Sequence, residues 1–281
     1  MKETTDSIDT SPDTLTTMLR MAHSFKNWDN LIRLSDALYD LALSMFNGDP
    51  RGKSYLQKPL VYYLGFSSLM KGLSLQKKKL YQEALLSIEN YKDLSLFSDG
   101  SEKSNNIVDN FKFFAEANRF SIHILSGDNR KLDDYAQFIQ RYPSEILPGF
   151  ITILEHATAH NIEVDEEIAP LLEFVLHSVD DEINSDKRSY YFTIFYLLAI
   201  YNFNNKRYQD AIDYNLKYLE SSDKTNDDQH FKKATALHEQ FRSHASTQQL
   251  ERYNSILKNY LFGVIRDEEG FSLDRLIVRN S

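Results

Sequence analysis

A short phrase that occurs twice in the same frame constrains this chain more than any other feature. Leu80-Tyr81-Gln82-Glu83-Ala84-Leu85 heads one amphipathic segment, and Arg207-Tyr208-Gln209-Asp210-Ala211-Ile212 heads another. Each follows a long apolar stretch and a short basic turn, Gln76-Lys77-Lys78-Lys79 in one case and Asn204-Asn205-Lys206 in the other. An aromatic residue three positions before an Ala suits two antiparallel helices in close contact. The Ala lets the backbones approach, and the ring fills the space beside it. With Tyr81 and Tyr208 in register, small Gly72 aligns with Ala199 upstream and Tyr91 with Tyr218 downstream. Both segments therefore read as helical hairpins.

The rest of the composition agrees. Hydrophobic residues make up 42% of the 281, with 17 Tyr and 18 Phe, which excludes a disordered chain. Only 9 Gly and 6 Pro argue against an all-β fold, so the fold class is all-α. A net charge of −9 argues against direct nucleic-acid binding, which needs a basic face. With no Cys there is no disulfide framework, thiol nucleophile or cysteine-ligated zinc. The polar start, Met1 to Ser7, leads into no signal-peptide core. The strongest apolar run, Phe192 to Phe203, is shorter than the ~20 residues that span a bilayer. A cytoplasmic protein with no membrane partner is expected.

Along the chain, residues 1–10 read as a solvated tail, 11–264 as one helical repeat domain, and 265–281 as a C-terminal tail or capping segment. Ser11-Pro12-Asp13 starts a helix, with Ser as N-cap and Pro at the first helical position. Asn27 opens the next, which ends at Asn47-Gly48-Asp49-Pro50. The clearest pair covers about Pro59 to Leu75 and Leu80 to Leu94, followed by a Ser/Asp-rich loop from Ser95 to Asn105. Helices are predicted at about Asn106–Leu125, Arg130–Arg141, Ser144–His160 and Val164–Val179, the last kinked or split at Pro170. Lys187–Phe203 and Tyr208–Ser221 form the second clear pair, and Thr225–His244 and Thr247–Val264 finish the fold.

Little of this points to chemistry. His156 and His160 lie one helical turn apart, but Ala157 stands where a metalloprotease helix needs Glu, so a solvent-facing pair is expected and no metal site. Gly48-Asp49-Pro50-Arg51-Gly52-Lys53 lacks phosphate-loop spacing and reads as a turn. No nucleophile elbow, dinucleotide fingerprint or isolated carboxylate pair is present, so no catalytic residue and no cofactor are expected. Lys77-Lys78-Lys79 reads as a solvated turn, and Phe111, Phe113, Phe114 and Phe120 as core.

The aligned small residues resemble the tetratricopeptide repeat, a helix-turn-helix unit of about 34 residues. Asn27-Trp28-Asp29-Asn30-Leu31 and Lys131-Leu132-Asp133-Asp134-Tyr135 are degenerate copies, with Leu31 and Tyr135 in place of Ala. The resemblance implies an α-solenoid of antiparallel hairpins wound as a right-handed superhelix. Longer phrases, Lys58-Pro59-Leu60-Val61-Tyr62-Tyr63-Leu64-Gly65-Phe66, Ser68-Leu69-Met70-Lys71-Gly72, Phe111 to Arg119 and Glu145-Ile146-Leu147-Pro148-Gly149, resemble the repeat-containing sensor region of peptide-responsive regulators from Gram-positive bacteria. In that group the repeats often follow a DNA-binding helix-turn-helix domain, for which residues 1–10 leave no room. The first helix of each repeat lines the concave face in such arrays. This implies groove positions Phe66, Leu69 and Lys77 in one repeat and Tyr196, Ile200 and Asn204 in the other, with Asn118 and Arg119 as similar candidates. Apolar pockets beside amides suit a short peptide, whose backbone an Asn can bond on both sides.

The expected function is a non-enzymatic binding protein, a cytosolic bacterial regulator that takes a peptide or protein segment. The alternative is a transcriptional regulator that reaches DNA through a basic surface or a partner. A phosphatase-stimulating repeat protein would need a further helical bundle ahead of the repeats. Leu250, Tyr253, Leu257, Tyr260 and Leu261 on the last helix require cover, either from the Phe271–Val278 tail or from a second subunit in a homodimer through the C-terminal helices.

Overall fold

The computed structural model describes residues 11–48, 56–183 and 185–269. Among these there are twelve α-helices and no strand, as the composition implies. The expected tail at 1–10, most of the Gly48–Lys53 turn and the Phe271–Val278 segment lie outside the described residues. Packing groups the chain into two compact units, Met1–Lys131 and Leu132–Ser281, where the sequence reads 11–264 as one domain.

The first unit holds α1 (Pro12–Ser24), α2 (Trp28–Asn47), α3 (Leu60–Lys77), α4 (Tyr81–Glu89) and α5 (Glu102–Leu125). Ser11 Oγ accepts the Thr14 N–H at 3.2 Å and Pro12 takes the first helical position, while Asn27 Oδ1 caps α2 by accepting the Asn30 N–H at 3.2 Å. The helices pack in chain order, α1 on α2, α2 on α3 and α3 on α4, and α5 covers both α3 and α4. Leu19, Leu31, Leu38 and Leu64 fill the centre with no exposed surface. Gly72 lies against α4, where a Cβ would stand 3.4 Å from Ser87 Cβ and 3.8 Å from the Ala84 carbonyl. The small residues thus sit where the helices approach closely.

Two boundaries differ from the sequence reading. The helix α4 ends at Glu89 rather than Leu94, and α5 begins at Glu102, inside the stretch read as a loop. The polar residues there serve as turn and cap groups. Asp93 Oδ1 accepts the Ser95 N–H at 3.0 Å ahead of a 3₁₀ turn at Ser95–Phe97. Asp99 Oδ1 accepts from Ser101 N at 2.9 Å, and Ser101 Oγ caps α5 through Ser104 N at 3.2 Å.

The second unit holds α6 (Leu132–Arg141), α7 (Ile146–His160), α8 (Asp165–Glu182), α9 (Arg188–Asn204), α10 (Tyr208–Lys224), α11 (Asp228–Phe241) and α12 (Thr247–Glu269). The second clear pair is α9 on α10, with Ala199 and Ala211 fully buried. Earlier in this unit the order is not strictly sequential, because α7 packs on α9 and α6 touches both α7 and α8. Of the expected kink or split at Pro170, the split does not occur: Pro170 lies inside α8, which runs unbroken from Asp165 to Glu182, and the residue is exposed. The helix α12 runs on to Glu269, past the expected end at Val264. It opens with a reciprocal cap, in which Ser246 Oγ accepts from Gln249 N at 3.2 Å and Gln249 Oε1 from Ser246 N at 3.1 Å. Its Tyr253 and Tyr260 stack on His238 and Phe231 of α11, with centroids 3.8 and 4.0 Å apart, while Leu261 stays 54% exposed.

One turn recurs in both units. Lys26, Lys79, Gly127, Asn161, Lys206 and Asn226 all have positive φ, between 52° and 99°. The following residue in each case donates its N–H back to the carbonyl five positions earlier: Asn27 to Ala22, Leu80 to Leu75, Asp128 to His123, Ile162 to Ala157, Arg207 to Asn202 and Asp227 to Ser222, at 2.9–3.1 Å. This left-handed cap satisfies the end of one helix and aims the chain into the next.

Candidate binding cleft on the fifth helix

In the first unit α5 places Phe111, Ala115 and Ile122 in the core and Lys112, Glu116, Arg119 and His123 outward, at helical spacing. Beside that outward stripe lies a cleft of about 510 Å³. Lys92 and Asp93, just after α4, form one wall. Lys112, Ala115, Glu116, Arg119, Phe120 and His123 line the α5 side, and Lys131, after α5, also lines the cleft. Its volume lies within the roughly 300–1,000 Å³ typical of ligand sites.

The charged groups are partly paired with one another. Arg119 Nη2 donates to Glu89 Oε1 at 3.0 Å, and Lys92 pairs with the other oxygen of the same carboxylate. These contacts, that from Lys92 foremost, hold the Glu89 carboxyl below its ordinary range. Asp93 is also held low, chiefly by the Ser95 hydroxyl at 2.6 Å and the Ser95 N–H, with Lys112 and Lys92 adding to the effect. Asn118 reaches the turn just after α4, where its Nδ2 donates to Tyr91 Oη at 3.0 Å; burial raises the Tyr91 phenol to about 12.

The candidate residues therefore fall into three places. Asn118 and Arg119 are tied to the end of α4, and Arg119 alone of the set lines the cleft. Phe66 and Leu69 are half-buried on α3. Phe66 stacks on Tyr62 (5.4 Å, 10°), with the Arg20 guanidinium 5.7 Å from its ring and donating to Tyr62 Oη at 3.1 Å. Lys77 is exposed in the last turn of α3. In the second unit Tyr196 and Ile200 are half-buried on α9, and Asn204 is exposed at its end. Lys233 Nζ sits 3.5 Å over the Tyr196 ring, so a cation of the chain itself already covers that aromatic face. Sequence reasoning missed Lys92, Lys112, His123 and Lys131 and read Phe120 as core. The spacing of Lys112, Arg119 and His123 along one helix face was the available signal.

Other features carry less. A cleft of about 550 Å³ between α10 and α12 is lined by polar groups that mostly bond each other: Gln249 Nε2 donates to the Gln209 carbonyl and to Asp213. Arg252, also on its wall, forks onto Glu220 at 2.6–2.7 Å. The histidine pair is not solvent-facing as expected. The ring of His160 is exposed, but His156 is fully buried among the apolar residues of α7, their centroids 4.7 Å apart. Among the described residues no group of three His, Cys, Asp or Glu is arranged to hold a metal ion. Lys78 pairs with Asp29 across the hairpin, and Lys77 and Lys79 are exposed beside it, as a solvated turn should be. Phe111 is core, but Phe114 is 38% exposed. Among the described residues no helix is long and apolar enough to cross a membrane. Comparison with protein-family models, curated proteins and solved structures finds no match to this chain.

Proposed function

We propose that this protein is a non-enzymatic helical-repeat binding protein that takes a short peptide or an exposed protein segment. The carrying observation is the α5 cleft, with an apolar wall and four basic side chains on a chain of net charge −9. A rigid helix presents its floor, so little ordering cost falls on the protein when a ligand enters. The repeated left-handed turns and the small residues at helix contacts are compatible with an α-solenoid of the tetratricopeptide kind; the regulatory role in a bacterial cytosol rests on the sequence resemblance alone. Selection of a randomised octapeptide library on the full-length protein tests this reading. Reproducible enrichment of a consensus, against a bead control, is the expected result; the absence of any enrichment overturns it.

A further inference from the structure

We infer that one end of the first unit, formed by the turns after α1 and α3, docks on a membrane surface rich in anionic lipid; the inference does not depend on the peptide reading above. The two turns lie at the same end. Asp13 accepts from the Gln57 N–H at 3.3 Å and Arg20 donates to Tyr62 Oη at 3.1 Å, so α1 and α3 run side by side in one direction. Lys78 of the second turn then pairs with Asp29, two residues beyond Asn27 of the first. Phe25, in the first turn, is 78% exposed. Met21, one helical turn before it on the same face, and Leu80, just after the second turn, are exposed as well.

Charge narrows the class of partner. Lys26, Lys77 and Lys79 are exposed with no acidic partner among the described residues. The carboxylates beside these turns are Asp29, which Lys78 takes, and Glu83 in the first turn of α4. Four cations thus stand against two acids, on a chain of net charge −9. An apolar tip among lysines matches the two layers of an anionic bilayer surface. Headgroup phosphates attract the ammonium groups, whose long stems let them stay in the headgroup layer while Phe25, Met21 and Leu80 leave water at the acyl boundary. Nucleic acid also offers phosphates, but its backbone gives Met21 and Leu80 no apolar layer to enter. A contact of this kind lies on the membrane and needs no helix that crosses it.

The test is flotation of the full-length protein with vesicles of phosphatidylcholine alone, or of phosphatidylcholine mixed with an equal part of phosphatidylglycerol. Binding should appear with the mixed vesicles and weaken as salt is raised. Phe25→Glu, and Lys77→Glu combined with Lys79→Glu, should each weaken it about tenfold or more. Their melting curves should not change, since all three side chains are exposed. Leu96→Glu, also exposed but beyond the opposite end of α4, should bind as the parent does. The single Trp of the chain, Trp28, sits three residues after Phe25, so vesicles with brominated acyl chains should quench its fluorescence. Absence of binding, equal binding to both vesicle types, binding that leaves Trp28 unquenched, or indifference to the Phe25 and Lys77/Lys79 variants overturns the inference. Binding to a DNA duplex in place of vesicles, lost in the same variants, overturns it in favour of nucleic acid.

Discussion

His238 of α11 lies flat against Tyr253 of α12, with ring centroids 3.8 Å apart and planes within 15°. Its Nδ1 meets Asn215 Oδ1 at 3.2 Å, and the Asn215 amide in turn donates to the Ala234 carbonyl. Among the described residues Nε2 is buried with no hydrogen-bond partner. Burial, aided by Arg242 and opposed by Glu239, depresses the imidazole to about 4. The unfolded chain takes up this proton near the ordinary 6.5, so the contribution to stability is complete above pH 6.5 and is lost as pH falls toward 4. The loss is of order 3 kcal/mol. Urea unfolding at pH 7 and pH 5 should show it, and His238→Gln should flatten that part of the profile.

Ala84 and Ala211 have no exposed surface, and each occupies the close contact between the helices of its hairpin. Ala84→Leu or Ala211→Leu should each cost about 1–3 kcal/mol through overpacking. Melting curves of the two variants check this, and an unchanged midpoint would contradict the hairpin register.

Gly65 is more constrained still. A Cβ there would stand 2.4–2.7 Å from three atoms of the Phe111 ring, itself only 3% exposed. Ala is the better helix former by about 1 kcal/mol, but the ring cannot retreat into a packed core. Gly65→Ala should therefore destabilise by about 1–3 kcal/mol, and chemical denaturation measures which effect wins.

The turns allow a stabilising change. Lys206 holds φ at 61°, a conformation that costs a side-chain residue and suits Gly. Lys206→Gly should raise stability by about 0.5–1 kcal/mol, read as a higher urea midpoint.

The two hairpins were legible because the Tyr-x-x-Ala phrase and its small partners report a helix contact directly. The caps at Ser11 and Asn27 were legible because their residue types name the geometry. The left-handed turns were not, since three of the six use Lys, which no turn rule singles out. Gly65 and Gly149 stood inside the phrases that carry the family resemblance. They prove to be packing positions, with Phe111 and Ile139 filling the space a Cβ would need. Burial of His156 was hidden because histidine spacing says nothing about which face of α7 meets the core. The α5 cleft was only half visible. Arg119 was singled out, but Lys92 and Lys131 join it through the loop after α4 and the turn after α5, contacts that helical spacing does not report.

Hydrogen–deuterium exchange of the full-length protein, with and without a library-selected peptide, tests the binding account most directly. Protection should appear along α5 between Lys112 and His123 and beside Lys92, with little change in α9. Protection confined to α9, around Tyr196, Ile200 and Asn204, or no protection on α5 at saturating peptide, would contradict it.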